Sequence, residues 1–253
     1  MRMFQRNQLI DRIFSAAEKE PRVLAMWEQG SAAFDNLDEH SDIDVILLCE
    51  DDASAEIIEL VQRTLEQLGE LDWVADNPVP NWHGSNQRFL HLRDSGPHLI
   101  VDVCAIERSK ENWFLDRKRH GTPRVIFDRL GLLEGDHSEQ EEVANKRAAR
   151  LKQIAEYHQL HLSCVEKDIL RAKPLDAIGF YNALMLRPLV ELLGMKHRPW
   201  RWDFGLRYLY GELPDAELKR LEKLAYPGSF ENLKECFEDA KIWTEQLLAE
   251  LRS

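Results

Sequence analysis

Cysteine is scarce in this chain, with four residues in 253, at positions 49, 104, 164 and 236. They are too scattered for the ligand spacing of a zinc site. Cys49 and Cys104 fall in predicted strands, and we expect both to be small core residues. The first residues lead into a helical pattern instead of an apolar signal core. We therefore expect a protein of the reducing cytoplasm.

Long apolar runs, repeats and low-complexity tracts are also absent. No run approaches the ~20 apolar residues that cross a bilayer, so a membrane partner is not expected. A composition of 44% apolar and 31% charged residues is typical of a soluble globular protein. A length of 253 residues suits one large or two modest domains, and we predict two.

Basic residues are missing from one part of the chain. The stretch from Val23 to Gln62 holds eleven acids and no Lys or Arg, within a chain of net charge −12. Such a stretch repels phosphate backbones and attracts cations. We therefore expect a small, amine-bearing partner and no nucleic acid.

A Gly-Ser pair and two spaced acids stand out within this stretch. Gly30 and Ser31 close one apolar run, ten residues follow, and Asp42 and Asp44 open a second run rich in β-branched and aliphatic residues. In a strand the two aspartates lie on one face, ~7 Å apart along the chain. Neighbouring carboxylates repel unless a cation neutralises them, and oxygen ligands suit Mg²⁺. A turn at Gly30 lets backbone N–H groups approach a phosphate.

These residues resemble the signature of the DNA polymerase β type nucleotidyltransferases. That signature is Gly-Ser, roughly ten residues, Asp-x-Asp, and a later acid between apolar strand residues, here Asp102 between two valines. The resemblance implies that Asp42 and Asp44 bind two Mg²⁺ ions, with ATP or another nucleoside triphosphate as co-substrate. Asp102 is then either a third metal ligand or the catalytic base. A solvated acidic loop is the alternative reading of the motif.

The remaining candidates for nucleotide binding are Ser41, beside the acids, and Lys196, which follows a Leu-Gly pair. In the nucleotidyltransferase family that the motif resembles, a basic residue of the helical part often reaches the triphosphate. Lys196 lies at a predicted helix C-terminus, which favours cations for electrostatic reasons alone, so both interpretations stand.

Periodicity predicts an α+β protein, with a mixed sheet of about five strands flanked by helices in residues 1–134 and an all-α helical bundle in residues 135–253. The predicted strands are residues 23–27, 43–49, 71–74, 88–92 and 99–106, with residues 125–128 as a further candidate. The predicted helices are residues 8–20, 54–68, 138–173, 175–193, 203–210, 215–225 and 229–251.

A sheet domain followed by a helical bundle resembles the nucleotidyltransferases that modify aminoglycoside or lincosamide antibiotics. The resemblance implies transfer of a nucleotidyl group, with adenylyl the expected one, to a hydroxyl of a small cationic acceptor that is bound between the two domains. The alternative is a regulatory or antitoxin-like module that acts on or binds a partner protein.

For two further sets of residues, a purely structural role is the simpler interpretation. Trp82, Trp200 and Trp202 are candidates for stacking on a base or sugar, but core packing is the simpler expectation in a chain with seven tryptophans. The basic run at residues 117–120 is expected to form a solvated face.

Overall fold

The computed structural model describes residues 4–78, 84–110, 113–135 and 137–252. The chain divides into two units, Met1–Ser138 and Glu139–Ser253. The first unit is built on a mixed sheet, and the second is helical. The α+β composition predicted from the sequence is confirmed. No helix within the described ranges is long and apolar enough to cross a membrane.

Six strands form the sheet, in the order β3-β4-β5-β2-β1-β6. Strands β2 and β5 run parallel, and the other neighbouring pairs are antiparallel. The prediction of about five strands is one too low, because the candidate at residues 125–128 pairs with β1 at the sheet edge. The strands are β1 Val23–Glu28, β2 Ile43–Cys49, β3 Leu71–Asp76, β4 Asn86–Leu92, β5 Val101–Glu107 and β6 Arg124–Asp128.

Strand β2 lies inside the sheet and has two differently covered faces. Ile43, Val45 and Leu47 belong to the core that the strands share with helices α1 (Arg6–Ala17) and α2 (Ser54–Glu66). Ile46 and Leu48 belong to a smaller core on the other face, which also contains Leu115 and Leu133. This alternation follows from the two-residue period of a strand. Asp44 therefore shares its face with the smaller core.

Helices α1 and α2 each present an apolar stripe to the larger core. The stripes recur at three- and four-residue intervals, so each helix is held mainly by burial of one face. Burial of each large aliphatic side chain contributes about 1.5–3 kcal/mol. The buried residues are Leu9, Ile10, Ile13 and Ala17 in α1, and Ile57, Ile58, Val61 and Leu65 in α2.

Cys49 and Cys104 are buried in the sheet, as predicted. Burial raises the pKa of each thiol to about 12, so both are inert at neutral pH.

The second unit packs its helices around one apolar core. The long helix predicted at residues 138–173 is present as α4 (Gln140–Leu170). The unit's later helices are α5 Pro174–Phe180, α6 Arg187–His197, α7 Leu209–Glu212, α8 Asp215–Ala225 and α9 Phe230–Arg252.

A wider helical turn, Tyr181–Leu186, joins α5 to α6, with i→i+5 hydrogen bonding. Pro188 follows it in the first turn of α6. A proline has no N–H to donate to the preceding turn, and its ring clashes with the carbonyl four residues earlier. The wide turn relieves that clash.

The prediction of a helix at residues 203–210 is wrong, because the chain forms turns there and becomes helical only at α7. Gly205 and Tyr208 both adopt positive φ angles. The carbonyl groups of Gly205 and Arg207 accept hydrogen bonds from the buried Arg198 guanidinium. The buried Arg198 guanidinium thus binds backbone carbonyl groups that would accept intrahelical hydrogen bonds if this segment were a helix.

Two helical glycines are predicted to respond oppositely to the same substitution. A Cβ at Gly194 would lie 2.7 Å from the backbone oxygen of Trp202, whereas a Cβ at Gly179 meets nothing within 4 Å. We expect Gly194→Ala to lower the free energy of unfolding by about 1–3 kcal/mol through overpacking. Gly179→Ala is expected to raise it by about 0.5–1 kcal/mol through helix propensity. Denaturant titrations of both variants test this, and stabilisation by Gly194→Ala would contradict the packing described.

Candidate active site

Asp44 and Asp102 lie opposite each other in the parallel pair of β2 and β5. Residues in register on neighbouring strands point to the same side of a sheet, with backbones about 4.8 Å apart. Both aspartates are half-buried. The sheet thus brings together two acids that are 58 positions apart in the sequence.

A short turn, Gly30–Ala32, lies against Asp44. The Gln29 N–H donates to the Asp44 carbonyl at 2.9 Å. Gly30 has φ +57°, and a Cβ at this position would come within 2.6 Å of the Asp44 carboxyl carbon and closer still to Oδ2. Only glycine fits both the positive φ and the close approach. Gly30 and the half-buried Ser31 are therefore adjacent to the paired acids, as the motif predicts.

Asp42 and Ser41 have different surroundings. Asp42 is exposed and precedes the first residue of β2. The Ser41 hydroxyl donates to Asp38 Oδ1 at 2.9 Å and accepts from the Asp38 backbone N–H at 2.9 Å, which closes a small loop. The same hydroxyl lowers the pKa of Asp38. Their roles as metal ligand and nucleotide contact stay predictions.

Gln87 is a site residue that the sequence reasoning missed. Its Nε2 lies 2.8 and 3.0 Å from the two carboxylate oxygens of Asp102, and its Oε1 accepts from Asn77 Nδ2 at 2.8 Å. The amide is thereby oriented to donate to Asp102. The predicted strand began at Arg88 and did not include Gln87. In the structure β4 begins at Asn86, and the alternation of side chains along it places Gln87 on the face of the sheet that carries Asp102.

A buried carboxylate, Glu28, holds the strand ends beneath the turn. Glu28 is 1% exposed, and its oxygens lie 2.6 Å from Arg6 Nη2 and 3.2 Å from Arg124 Nη1. Arg6 also reaches the Asp42 carbonyl at 3.5 Å. Removing either arginine would leave a buried charge less well compensated. These contacts tie α1 and β6 to the two strands that carry the Gly30 turn and Asp44.

The predicted binding residues of the second unit are engaged within that unit. Lys196 Nζ lies 3.2 Å from both Glu217 and Glu250. Trp202 is buried in the helical core and Trp200 packs against that core, as the simpler expectation has it. Trp82 lies outside the described residues. Phosphate binding by Lys196 stays a prediction, and it would require exchange of the two ion pairs.

A cavity of about 520 Å³ opens beside α2, lined in part by Arg22 and Arg88. Arg88 follows Gln87 on β4, so its side chain points to the face opposite Asp102. Both arginines already form ion pairs, Arg22 with Glu20 and Glu56, and Arg88 with Asp76 and Glu59.

The donor set at the paired acids suits Mg²⁺. Within the described residues, no group of three or more His, Cys, Asp or Glu side chains is gathered so as to hold a metal. Mg²⁺ is commonly bound by one or two carboxylates together with substrate phosphates and water. Asp44 and Asp102 therefore fit a metal that is completed by a phosphorylated ligand.

The contact between Gly30 and Asp44 can be tested by substitution. We expect Gly30→Ala to lower the free energy of unfolding by about 2–4 kcal/mol, because it adds overpacking to backbone strain. Gly84→Ala is the matched control, since Gly84 has φ +68° and nothing within 4 Å of an added Cβ. Gly84→Ala should lower the free energy of unfolding by about 1 kcal/mol.

Asp44→Ala should partly rescue Gly30→Ala, because it removes the carboxyl group that the new Cβ meets. Denaturant titration of the single and double variants gives the coupling free energy. Simple additivity of the two substitutions would show that Gly30 and Asp44 do not touch.

No protein-family model matches the chain, and no curated protein matches it at a significant level. Among solved structures, it is similar to the spectinomycin adenyltransferase AAD(9) from Enterococcus faecialis, crystallised with ATP and spectinomycin. The identity is 12%, the match covers 98% of this chain and 100% of that chain, and the TM-score is 0.36. At this level the likeness carries no argument about the activity of this chain.

Proposed function

We propose that the chain transfers a nucleotidyl group, which we take to be adenylyl, from a nucleoside triphosphate to a hydroxyl of a small amine-bearing molecule. An aminoglycoside or lincosamide antibiotic is an acceptor of this kind. The observation that carries the proposal is the pairing of Asp44 with Asp102 directly beside the Gly30 turn. A phosphate-binding turn next to two carboxylates is the arrangement that metal-assisted phosphoryl chemistry needs.

In the proposed reaction the acceptor oxygen bonds to the α-phosphorus. The bond from that phosphorus to the oxygen bridging the β-phosphate breaks, and pyrophosphate leaves. The Gly30–Ser31 turn holds the phosphates through backbone N–H groups and the Ser31 hydroxyl. Mg²⁺ held by Asp42 and Asp44, with Asp102 as a third ligand or as the base, would neutralise phosphate charge and lower the pKa of the acceptor hydroxyl.

Asp102 has one of two roles in this scheme. Its carboxylate is oriented by Gln87, which would position it to accept the acceptor proton as a base. Its register with Asp44 equally suits a metal ligand. The two roles predict different kinetics.

Charge supports a cationic acceptor. The eleven acids between Val23 and Gln62, without a Lys or Arg among them, include Asp42 and Asp44. A field of this sign attracts amines and disfavours nucleic-acid backbones. Incubation with ATP, Mg²⁺ and a panel of aminoglycosides and lincosamides tests the proposal, because an enzyme of this type releases pyrophosphate only with an acceptor. Release with a protein acceptor alone would favour a regulatory module.

Nucleotide binding should depend on a divalent metal. We expect Mg²⁺ or Mn²⁺ to strengthen ATP binding, since a divalent cation would reduce the repulsion between the triphosphate and the carboxylates of Asp44 and Asp102. Isothermal titration calorimetry measures the affinity for ATP in the presence of the metal and in the presence of EDTA. Equal affinity in the two conditions would refute the metal-dependent site.

The three acids are expected to differ on substitution. Asp44→Asn should weaken both Mg²⁺-ATP binding and turnover, and Asp42→Asn should do the same if Asp42 is a ligand. If Asp102 is the base, Asp102→Asn should lower kcat by about 10²–10⁴ and leave Mg²⁺-ATP affinity nearly intact. Loss of ATP affinity in Asp102→Asn would instead make it a ligand. Asp11→Asn, an exposed acid on α1, is the control and should change neither quantity.

A further inference from the structure

A short basic helix, α3 (Arg117–His120), follows a segment that packs beside the glycine turn. Its sequence is Arg-Lys-Arg-His, so three of its four residues are permanent cations. The sequence pattern alone favours a solvated face for such a run. The contacts at the two ends of α3 change that interpretation.

Both ends of this segment are fixed to residues that flank the turn. Before α3, the Phe114 carbonyl accepts a hydrogen bond from the Gln29 side chain, and Gln29 directly precedes Gly30. After α3, the Thr122 N–H donates to the Ala33 carbonyl at 2.8 Å, and Ala33 directly follows the turn. Since Gln29 and Ala33 bracket the turn, the segment that carries α3 runs alongside it.

The segment is also built so that it cannot shift easily. Gly121 has φ +80°, and a Cβ there would lie 2.5 Å from the Ala33 oxygen. At the start of α3, the buried Asp116 carboxylate accepts from the backbone N–H groups of Lys118 and Arg119 at 2.9 and 3.2 Å. This cap fixes the helix start. A helix of four residues is only about 6 Å long, so its backbone remains close to the turn and its long side chains start from there.

Helix α3 supplies the positive charge that the strands on either side of the turn lack. Strands β1 and β2 and the turn between them lie in the stretch without Lys or Arg, so they cannot supply a cation to a bound triphosphate. Helix α3 brings three cations to the same place, and the side chains of Arg117 and Lys118 are exposed. Arginine and lysine bind phosphate oxygens through charge-assisted hydrogen bonds.

We infer that α3 is the cationic half of a polyphosphate site, with Arg117, Lys118 and Arg119 binding the terminal phosphates of the nucleotide on the Gly30 turn. The inference rests on the proposed function for the identity of the ligand. It assigns to the first unit the phosphate-binding role for which the family resemblance made Lys196 a candidate. It also predicts that the site distinguishes a triphosphate from a monophosphate.

The test compares two triple variants with equal changes in charge. One variant is Arg117→Gln, Lys118→Gln and Arg119→Gln. The matched control is Arg12→Gln, Lys19→Gln and Arg108→Gln, which removes three exposed cations of the first unit. Arg12 and Lys19 lie on or beside α1, which covers the other face of the sheet, and Arg108 directly follows β5. Isothermal titration measures the affinity of each full-length protein for Mg²⁺-ATP, AMP and Mg²⁺-tripolyphosphate.

We expect the α3 variant to bind Mg²⁺-ATP and Mg²⁺-tripolyphosphate about 10- to 100-fold more weakly than the control does, from the loss of three charge contacts. AMP affinity should change less than about threefold, because AMP lacks the terminal phosphates. Arg117→Lys with Arg119→Lys should retain most of the ATP affinity, since the charges remain. If circular dichroism shows that the α3 variant is unfolded, Arg117→Gln alone replaces it, with an expected loss of about two- to fivefold.

Equal ATP affinity in the α3 variant and the control, with tight binding by the unmodified chain, would overturn this inference and leave the proposed function intact. An equal loss of AMP and ATP affinity would also overturn it, because the effect would not lie at the terminal phosphates. Absence of ATP binding by the unmodified chain would refute the proposed function and this inference with it.

Discussion

The contact between Gly30 and the Asp44 carboxylate is the constraint on which the site depends. It leaves no room for a side chain at residue 30, and the register of β2 with β5 sets Asp102 beside the same carboxylate. The glycine turn and a pair of acids that suits a cation therefore lie against each other. The Gln29 N–H donates to the Asp44 carbonyl and adds a backbone contact between the two.

Two neighbouring carboxylates repel each other, so the surrounding structure has to hold them in place. On the acid face, Gln87 donates to both oxygens of Asp102. On the other face, the buried Glu28 ties Arg6 and Arg124 to the strand ends. The same arrangement favours binding of a cation. The sheet holds the two carboxylates close together, and a metal ion with a phosphorylated ligand would remove the repulsion between them.

Local patterns predicted much of this molecule. Strand β2 and helix α8 have the predicted bounds, because each is a periodic run flanked by polar or helix-breaking residues. Most failures involve partners far apart in the chain. Strand β6 is fixed by β1, about 100 residues earlier. Gln87 was missed because its contact with Asp102 is one that no local pattern encodes. The segment around α3 was seen only as a basic run, since its contacts with Gln29 and Ala33 join distant parts of the chain. The helix predicted at residues 203–210 fails at shorter range, because the buried Arg198 binds the carbonyl groups of Gly205 and Arg207.

The proposed function requires that the paired acids and the glycine turn bind one nucleotide together. A crystal structure of the full chain with Mg²⁺ and a non-hydrolysable ATP analogue measures this directly. We expect the triphosphate against Gly30 and Ser31, with carboxylate oxygens of Asp44 and Asp102 about 2.1 Å from a metal ion. A nucleotide bound elsewhere, such as in the cavity beside α2 that Arg22 and Arg88 line, with no metal at the paired acids, would contradict it.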